Sequence, residues 1–330
     1  MRTPLLALLA LLVLTGCASQ RASDGGERTP ARAPLVFTGT GEATTLEAVA
    51  EHARRFEAIL VGENHGHPLG LETAADLWKK VVEQAPGAAL AMEFFERDEQ
   101  AALDDYLAGI VDEVAFKKAA GRTDGNYPEG HRAMIEAAKA GKRPVEAANA
   151  PRRYVRLARS EGFDRLRALT PEQARLVRIP ENLPTGAYRA AFDEIMATPH
   201  APPTTAPGAT LPPPETPEEK QKRLDAGFRS QSTWDWTMAE SVARSVQAGR
   251  TPTMLVVGRF HIERHPVKDG GTRTPGDEGG TTLALRAMRP GISVLTVTFV
   301  NQWPEDGKLR PEDKDRADVV VYVGPDPASN

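Results

Sequence analysis

The strongest constraint on this chain is a phrase that it writes twice. Ile59-Leu60-Val61 runs into Gly62, and Glu63-Asn64-His65 follows; far downstream, Met254-Leu255-Val256-Val257 runs into Gly258, and Arg259-Phe260-His261 follows. Each phrase is a short unbroken apolar run, then Gly-x-x-His. Half-exposed strands alternate apolar and polar residues, whereas an unbroken run reads as a strand covered on both faces, as in a parallel sheet. In open α/β sheets the loops at the carboxyl ends of the strands hold the ligand. Glu63 and the two histidines, on two such loops, are therefore the first candidates for a site.

The surrounding text supports an α/β chain. Thr44-Thr45-Leu46-Glu47 reads as a capping box that opens a helix reaching about residue 56. Leu71, Ala74, Ala75, Trp78, Val81 and Val82 recur at three- and four-residue intervals, so an amphipathic helix is expected before Pro86-Gly87. A second buried strand over 88–92 delivers Glu93 at its end, completing the strand–helix–strand unit of a parallel sheet. Residues 98–142 read as helical, and a short third strand over 144–147 ends in Ala148-Asn149-Ala150-Pro151-Arg152. Further helices are expected around 153–160, 171–177 and 187–196, which makes 98–197 a helical subdomain or cap. Residues 199–217 are rich in Pro, Thr and Ala with almost no apolar bulk, and form an insertion that cannot pack a core. A helix over 220–248, a Gly-rich charged loop over 268–280 and strands over 292–300 and 319–323 finish the reading. The fold class expected is α/β, a mostly parallel sheet of five or six strands flanked by helices, with a helical cap.

Charge is near balance, a net of -4 from 41 basic and 45 acidic side chains, and its interspersion argues against a nucleic-acid partner. The single cysteine says more. Arg2 precedes an apolar stretch over 5–14, and Leu14-Thr15-Gly16-Cys17 follows. The stretch is too short to span a bilayer and reads as a signal-peptide core. Leu-Thr-Gly-Cys resembles the lipobox of bacterial lipoproteins, so we expect a signal peptide over 1–16, acylation of Cys17, a flexible tether over 17–33 and a folded domain over 34–330. With Ala18 after the cysteine, the outer membrane is favoured. An acylated Cys17 leaves no thiol for a disulfide, a Cys–metal site or thiolate-ligated haem.

The expected carboxyl-end loops offer Glu63, Asn64, His65 and His67, then Glu93, Asn149 and His261. Two His with one or two Glu suit zinc, manganese or iron, with a carboxylate left as general base. The same groups suit metal-free acid/base work. Glu63, His65, Glu93 and His261 are thus candidates both as metal ligands and as catalytic groups. His67 either joins His65 in a His-x-His pair or faces solvent before Pro68. His261-Ile262-Glu263-Arg264-His265 is not a zincin helix, because the Glu must follow the first His directly and Pro266 opposes the helix. His52, His131 and His200 read as solvent-facing.

Several of these stretches together resemble a known family. Gly62-Glu63-Asn64-His65, Met92-Glu93-Phe94-Phe95 with Gln100 and Leu103-Asp104-Asp105-Tyr106, and Ala148-Asn149-Ala150-Pro151-Arg152 carry the first part. Gln231, Trp234-Asp235 and Met238-Ala239, then Val257-Gly258-Arg259-Phe260-His261, carry the rest. In order, they resemble the ChaN-like haem-binding lipoproteins of the Tiki, TraB and erythromycin-esterase-like superfamily. The resemblance implies haem binding in bacterial iron acquisition by a lipid-anchored envelope protein. It implies as partners haem, the membrane through the anchor, a second copy in a haem-bridged homodimer and an outer-membrane haem receptor. In the superfamily's hydrolases the paired Gly-x-x-His and a strand-end Glu are catalytic or metal-binding, so a metal-dependent hydrolase using His65, Glu93, His261 and Glu63 is the alternative. This chain departs from the family in carrying Phe260 where a small polar residue usually precedes the last His, and in the text after His261. With thiolate excluded, haem iron would need Tyr, His or Met. Tyr188 and Tyr154, within the expected cap, are the haem-ligand candidates, and Tyr127 is a third choice.

Overall fold

A computed structural model describes residues 32–197, 215–265 and 277–327. Strands β1 (Leu35–Thr38) and β2 (Ala43–Thr44) precede α1 (Leu46–Ala53), β3 (Ala58–Glu63), α2 (Pro68–Gln84) and β4 (Ala89–Glu96). Helices α3 (Gln100–Leu107), α4 (Glu113–Ala119) and α5 (Glu129–Ala140) lead to β5 (Val145–Asn149). Next come α6 (Arg152–Glu161), α7 (Phe163–Arg167), α8 (Pro171–Ala174), α9 (Ala187–Ala197) and the long α10 (Pro217–Gln247). The chain re-enters the sheet as β6 (Thr253–Gly258), crosses α11 (Gly280–Met288) and closes with β7 (Val294–Val300) and β8 (Val319–Tyr322).

The strands form one mixed sheet in the order β2-β1-β8-β7-β3-β6-β4-β5. From β8 to β5 every neighbouring pair is parallel, while β1 pairs antiparallel with β8 and with β2 at one edge. The α/β class is as the sequence implied, but eight strands replace the expected five or six. The short β1 escaped notice because its pairing partner, β8, lies almost a whole chain away. Every residue of β3 and of β6 is buried, which is the physical content of their unbroken apolarity. The two strands are direct neighbours, with Gly62 opposite Val257 and Glu63 opposite Gly258. The repeated phrases therefore end side by side, staggered by one residue.

Helices cover both faces of the sheet. On one, α1, α2 and α5 pack over Ile59, Leu90 and Phe299, and the indole N–H of the fully buried Trp78 donates to the carbonyl of Met134 at 3.1 Å, joining α2 to α5. On the other, α10 and α11 lay Met238, Val242 and Leu285 against Leu60, Leu255 and Val257. Each such large apolar side chain contributes about 1.5–3 kcal/mol on leaving water. Helix α10 has Thr216 as N-cap, Glu219 closing a capping box and Pro217 in its first turn. At about 1.5 Å per residue its 31 residues reach well past the sheet.

The expected cap over 98–197 is smaller than that. Strand β5 divides the run: α3, α4 and α5 contribute Leu103, Phe116 and Met134 to the main core. Only α6 to α9, with the first half of α10, stand apart, around Tyr154, Phe163 and Leu166 in one small cluster and Tyr188, Phe192 and Phe228 in another. Cys17, the tether over 17–31, residues 199–214 of the insertion, His200 and residues 268–276 of the Gly-rich loop lie outside the described residues. Among the described residues no helix is long and apolar enough to cross a membrane.

Candidate functional site

The two glycines explain why the phrases need them. A Cβ on Gly62 would sit 2.7 Å from the Cα of Arg259, and one on Gly258 would sit 2.9 Å from His65 Nε2. Each glycine thus makes room for the residues that follow the other. Between the two loops lies Glu93. It is placed within β4 and not at its end, at the point where the pairing with β5 shifts between Met92 and Glu96. Its Oε2 accepts the Gly258 N–H at 2.7 Å, and its Oε1 lies 3.8 Å from His261 Nε2. The same Oε2 and the His65 ring both crowd the missing Gly258 Cβ. Glu93 therefore lies between the two imidazoles, ion-paired with His261 and acting on His65 through its charge.

A second carboxylate backs each imidazole. His65 Nδ1 lies 3.1 Å from Glu63 Oε1, and the other oxygen, Oε2, lies 2.9 Å from Nε2 of His131 on α5. An ionised carboxylate only accepts, so both ring nitrogens donate. Burial pushes the Glu63 carboxyl up, but the hydrogen bonds from His131 and His65 outweigh it and hold it below the usual range. The Glu63 hydrogen bond in turn holds the His65 imidazole above its ordinary value. The His65 side chain is 58 % exposed while that of Glu63 is sealed. Among the described residues nothing hydrogen-bonds to His65 Nε2.

The His261 half is fully enclosed. Its Nδ1 donates to Asp235 Oδ1 at 2.7 Å; Thr281 Oγ1 donates to the same oxygen at 2.8 Å and the Tyr188 hydroxyl to Oδ2 at 2.6 Å. Gln231 Nε2 donates to the Tyr188 oxygen at 2.9 Å. Burial pushes the His261 imidazole down, but the Asp235 charge and hydrogen bond, helped by Glu93, hold it above its ordinary value. Burial, reinforced by Asp235, pushes the Tyr188 phenol far up.

Residues 49–270, which span both phrases, the strand bearing Glu93 and the helix bearing Asp235, match the family described as haem-binding uptake, Tiki superfamily, ChaN. The chain belongs to this ChaN family. A ChaN of Campylobacter jejuni, whose structure is described as binding heme cofacially, superposes with a TM-score of 0.61 at 14% sequence identity, covering 87% of this chain and 96% of that one. The type III effector HopBA1 aligns with a TM-score of 0.45 at 12% identity over 85% of this chain and 93% of its own. An erythromycin esterase in its open conformation aligns at 0.42 and 12% identity, over 83% and 78%. No curated protein matches the chain significantly.

In this ChaN-family chain the fold brings Glu63, His65, Glu93 and His261 together toward the carboxyl ends of the neighbouring strands β3, β6 and β4, but not as ligands of one ion. Both oxygens of Glu63 are spent on imidazoles. Among the described residues no three His, Cys, Asp or Glu side chains are grouped to hold a metal, so the zinc or manganese set suggested by the sequence is not formed. What the arrangement offers is two carboxylate-backed imidazoles around Glu93, one open and one enclosed. Tyr188 is 1 % exposed and gives its hydroxyl to Asp235, so as placed it cannot reach an iron from outside. Tyr154 is buried in the α6 cluster beneath the Arg153 guanidinium, and Tyr127 is buried beside Phe95.

His67, read as a partner of His65 or as solvent-facing, and His131, read as solvent-facing, are both interior. His67 is the N-cap of α2: Nδ1 accepts the Gly70 N–H at 3.1 Å and Nε2 donates to the Gly324 carbonyl at 2.9 Å, a structural role. His131 falls on the buried face of α5 with Met134, Ile135 and Ala138, a spacing visible in the sequence. Asp235 carried a similar signal. Phe228, Gln231, Asp235, Met238 and Val242 follow one another at three- and four-residue steps, so an acidic residue stands in the apolar stripe of α10. Asn64 and Asn149 tie loops down, on the Phe299 carbonyl and the Ala150 N–H.

Proposed function

We propose that this protein binds haem and hands it on in bacterial iron acquisition, tethered to the outer membrane through acylated Cys17. Membership of the haem-binding uptake family carries the reading. Haem is an apolar disc with two carboxylates and an iron that takes a nitrogen, oxygen or sulfur donor. The chain presents surfaces that fit each part. One groove of about 370 Å³ is walled by Phe192, Ile195, Met196 and Phe260 together with the polar Gln231, Arg259, Glu263 and His265. A second, of about 480 Å³, shares Phe192 and Met196 and adds Trp234, with Arg152, Arg156 and Arg159 beside them. Volumes of this order suit a flat organic ligand. Phe260, where the chain departs from its family, packs on Tyr188 and His265 and so supplies aromatic wall.

For the iron the fitting donor is His65. Its Nδ1–H is committed to Glu63, so Nε2, beside Gly258, is the nitrogen left to ligate, the arrangement that orients metal-ligating histidines. Gly258-Arg259-Phe260 connects the two regions, with Gly258 beneath the His65 ring and Phe260 in the groove wall. The guanidinium groups of Arg156 and Arg159 would take the propionates. A second copy across a haem pair and an outer-membrane haem receptor fit the same reading as partners.

The test is a titration of the purified protein with haem and with haem dimethyl ester. Haem should give a shifted Soret band. The double variant Arg156→Ala/Arg159→Ala should weaken haem by about tenfold, about 1.4 kcal/mol, and leave the ester's affinity unchanged. A free-haem spectrum at micromolar wild-type protein would remove the reading.

Gly258→Ala probes the donor separately. The added Cβ meets the outer edge of an exposed ring, which can swing away, so stability should change by no more than about 1 kcal/mol. Haem affinity should nevertheless fall, because the ring leaves its place beside Glu93. Denaturant unfolding and the haem titration, run together, check both halves.

A further inference from the structure

We propose that the arginine row of α6, with the exposed Ile195 of α9 near it, seats the domain on an anionic phospholipid surface. The inference rests on the tethered reading for the nearness of a membrane and does not need haem. Over the whole chain charge is near balance, but residues 152–178 hold eight arginines against Glu161, Asp164 and Glu172. That stretch carries a net of +5 in a chain whose total is -4, so the remainder is acidic. All eight arginines are exposed.

Helix stability does not account for this charge. Tyr154, Val155 and Ala158 pack inward, which leaves Arg152, Arg156 and Arg159 in a row at four- and three-residue steps. Cations at a helix N-terminus oppose its macrodipole, yet Arg152 and Arg153 stand in the first turn and no acid does. Those two pair with Glu96 and Asp98, but among the described residues no carboxylate pairs with Arg156 or Arg159. The row lines the groove that holds Met196 and Trp234, and Ile195, 57 % exposed, lines the adjoining one. Guanidinium groups take phosphate oxygens in pairs, and an apolar side chain beside them can enter the headgroup boundary. An acidic protein or a nucleic acid would use only the first of these. Between Cys17 and Arg32 the chain spans at most about 50 Å, which leaves open which face meets the membrane. The basic face in an otherwise acidic chain makes that choice, since each arginine near an anionic bilayer adds to the attraction. In the haem reading, propionates take the place of the lipid phosphates on Arg156 and Arg159.

The experiment sediments the processed chain, residues 17–330 with Cys17→Ser to prevent acylation, with phospholipid vesicles and no haem. One set is phosphatidylcholine alone, and the other is equal parts phosphatidylcholine and phosphatidylglycerol. The protein should bind the anionic vesicles and not the neutral ones, and added salt should release it. Arg156→Ala/Arg159→Ala should weaken that binding by about thirtyfold, the loss of two charges near the surface. Ile195→Ser should weaken it by about tenfold, while binding to soluble polyglutamate, which offers charge without a bilayer, stays as in wild type. All three positions are exposed, so unfolding midpoints should not move. Equal sedimentation with both vesicle types overturns the proposal, as does an Arg156→Ala/Arg159→Ala protein that binds like wild type. An Ile195→Ser protein with undiminished vesicle binding overturns it too, because the row would then be a general polyanion surface. Failure to bind haem, or a Cys17 that carries no lipid in cells, would sink the functional reading while the vesicle result still decides this surface.

Discussion

His65→Ala should lose the ligated-haem spectrum and weaken haem binding by at least two orders of magnitude, about 3 kcal/mol. The effect is large because, among the described residues, no other donor combines exposure with a committed second nitrogen: His261 is enclosed and His67 has both ring nitrogens engaged. Stability should be nearly unchanged, since the truncated side chain is 58 % exposed. Removing it does leave Glu63 with His131 as its remaining donor. Haem titration and denaturant unfolding of the same preparation separate ligand loss from unfolding. An H65A protein with the wild-type Soret maximum and affinity would place the iron elsewhere. Hydrolysis of a chromogenic ester, lost in both H65A and Glu93→Gln, would instead favour acid/base chemistry at the same rim.

Asp235→Ala should be the most destabilising single change at the site, by about 3–5 kcal/mol. Asp235 is fully buried and accepts from His261 Nδ1, Thr281 Oγ1 and the Tyr188 hydroxyl. Its removal orphans three donors in one place, and each unmet buried donor costs about 1–3 kcal/mol. These donors stand on α9, α11 and the turn after β6, so the loss loosens the junction of the cap with the sheet. Asp235→Asn keeps the volume and one accepting oxygen, and should cost visibly less. Unfolding midpoints at constant pH measure both. A loss under about 1 kcal/mol in D235A would mean that water replaces the carboxylate.

The histidines also show where sequence reading succeeds and where it stops. His65 and His261 were legible because each follows an unbroken apolar run, and such a run declares a buried strand whose end must emerge at the sheet edge. His131 was misread as exposed because α5 carries polar residues on every turn, although its spacing to Met134, Ile135 and Ala138 marks the buried face, and its contact with Glu63 gives the inward position a purpose. Glu93 was found but placed at a strand end, since the pairing shift that exposes it mid-strand depends on β5, a neighbour contributed by residues far along the chain. Shared metal ligation by the four residues was a fair inference from their types. Among the described residues they do not gather as three ligands of one ion, because Glu63 turns one oxygen to His65 and the other to His131.

Locally encoded properties were the sequence's to determine: which runs are buried strands, where helices begin, and that each Gly-x-x-His loop leaves the carboxyl end of such a strand. They follow from side-chain chemistry and spacing within a few residues. Only the tertiary structure decided that Gly62 and Gly258 accommodate each other's loops, that Glu93 lies between the imidazoles, and that one histidine stays open while the other is enclosed by Asp235. Those outcomes turn on distances of a few ångströms between residues from 26 to almost 200 positions apart, and hydrogen bonding falls away over that same length.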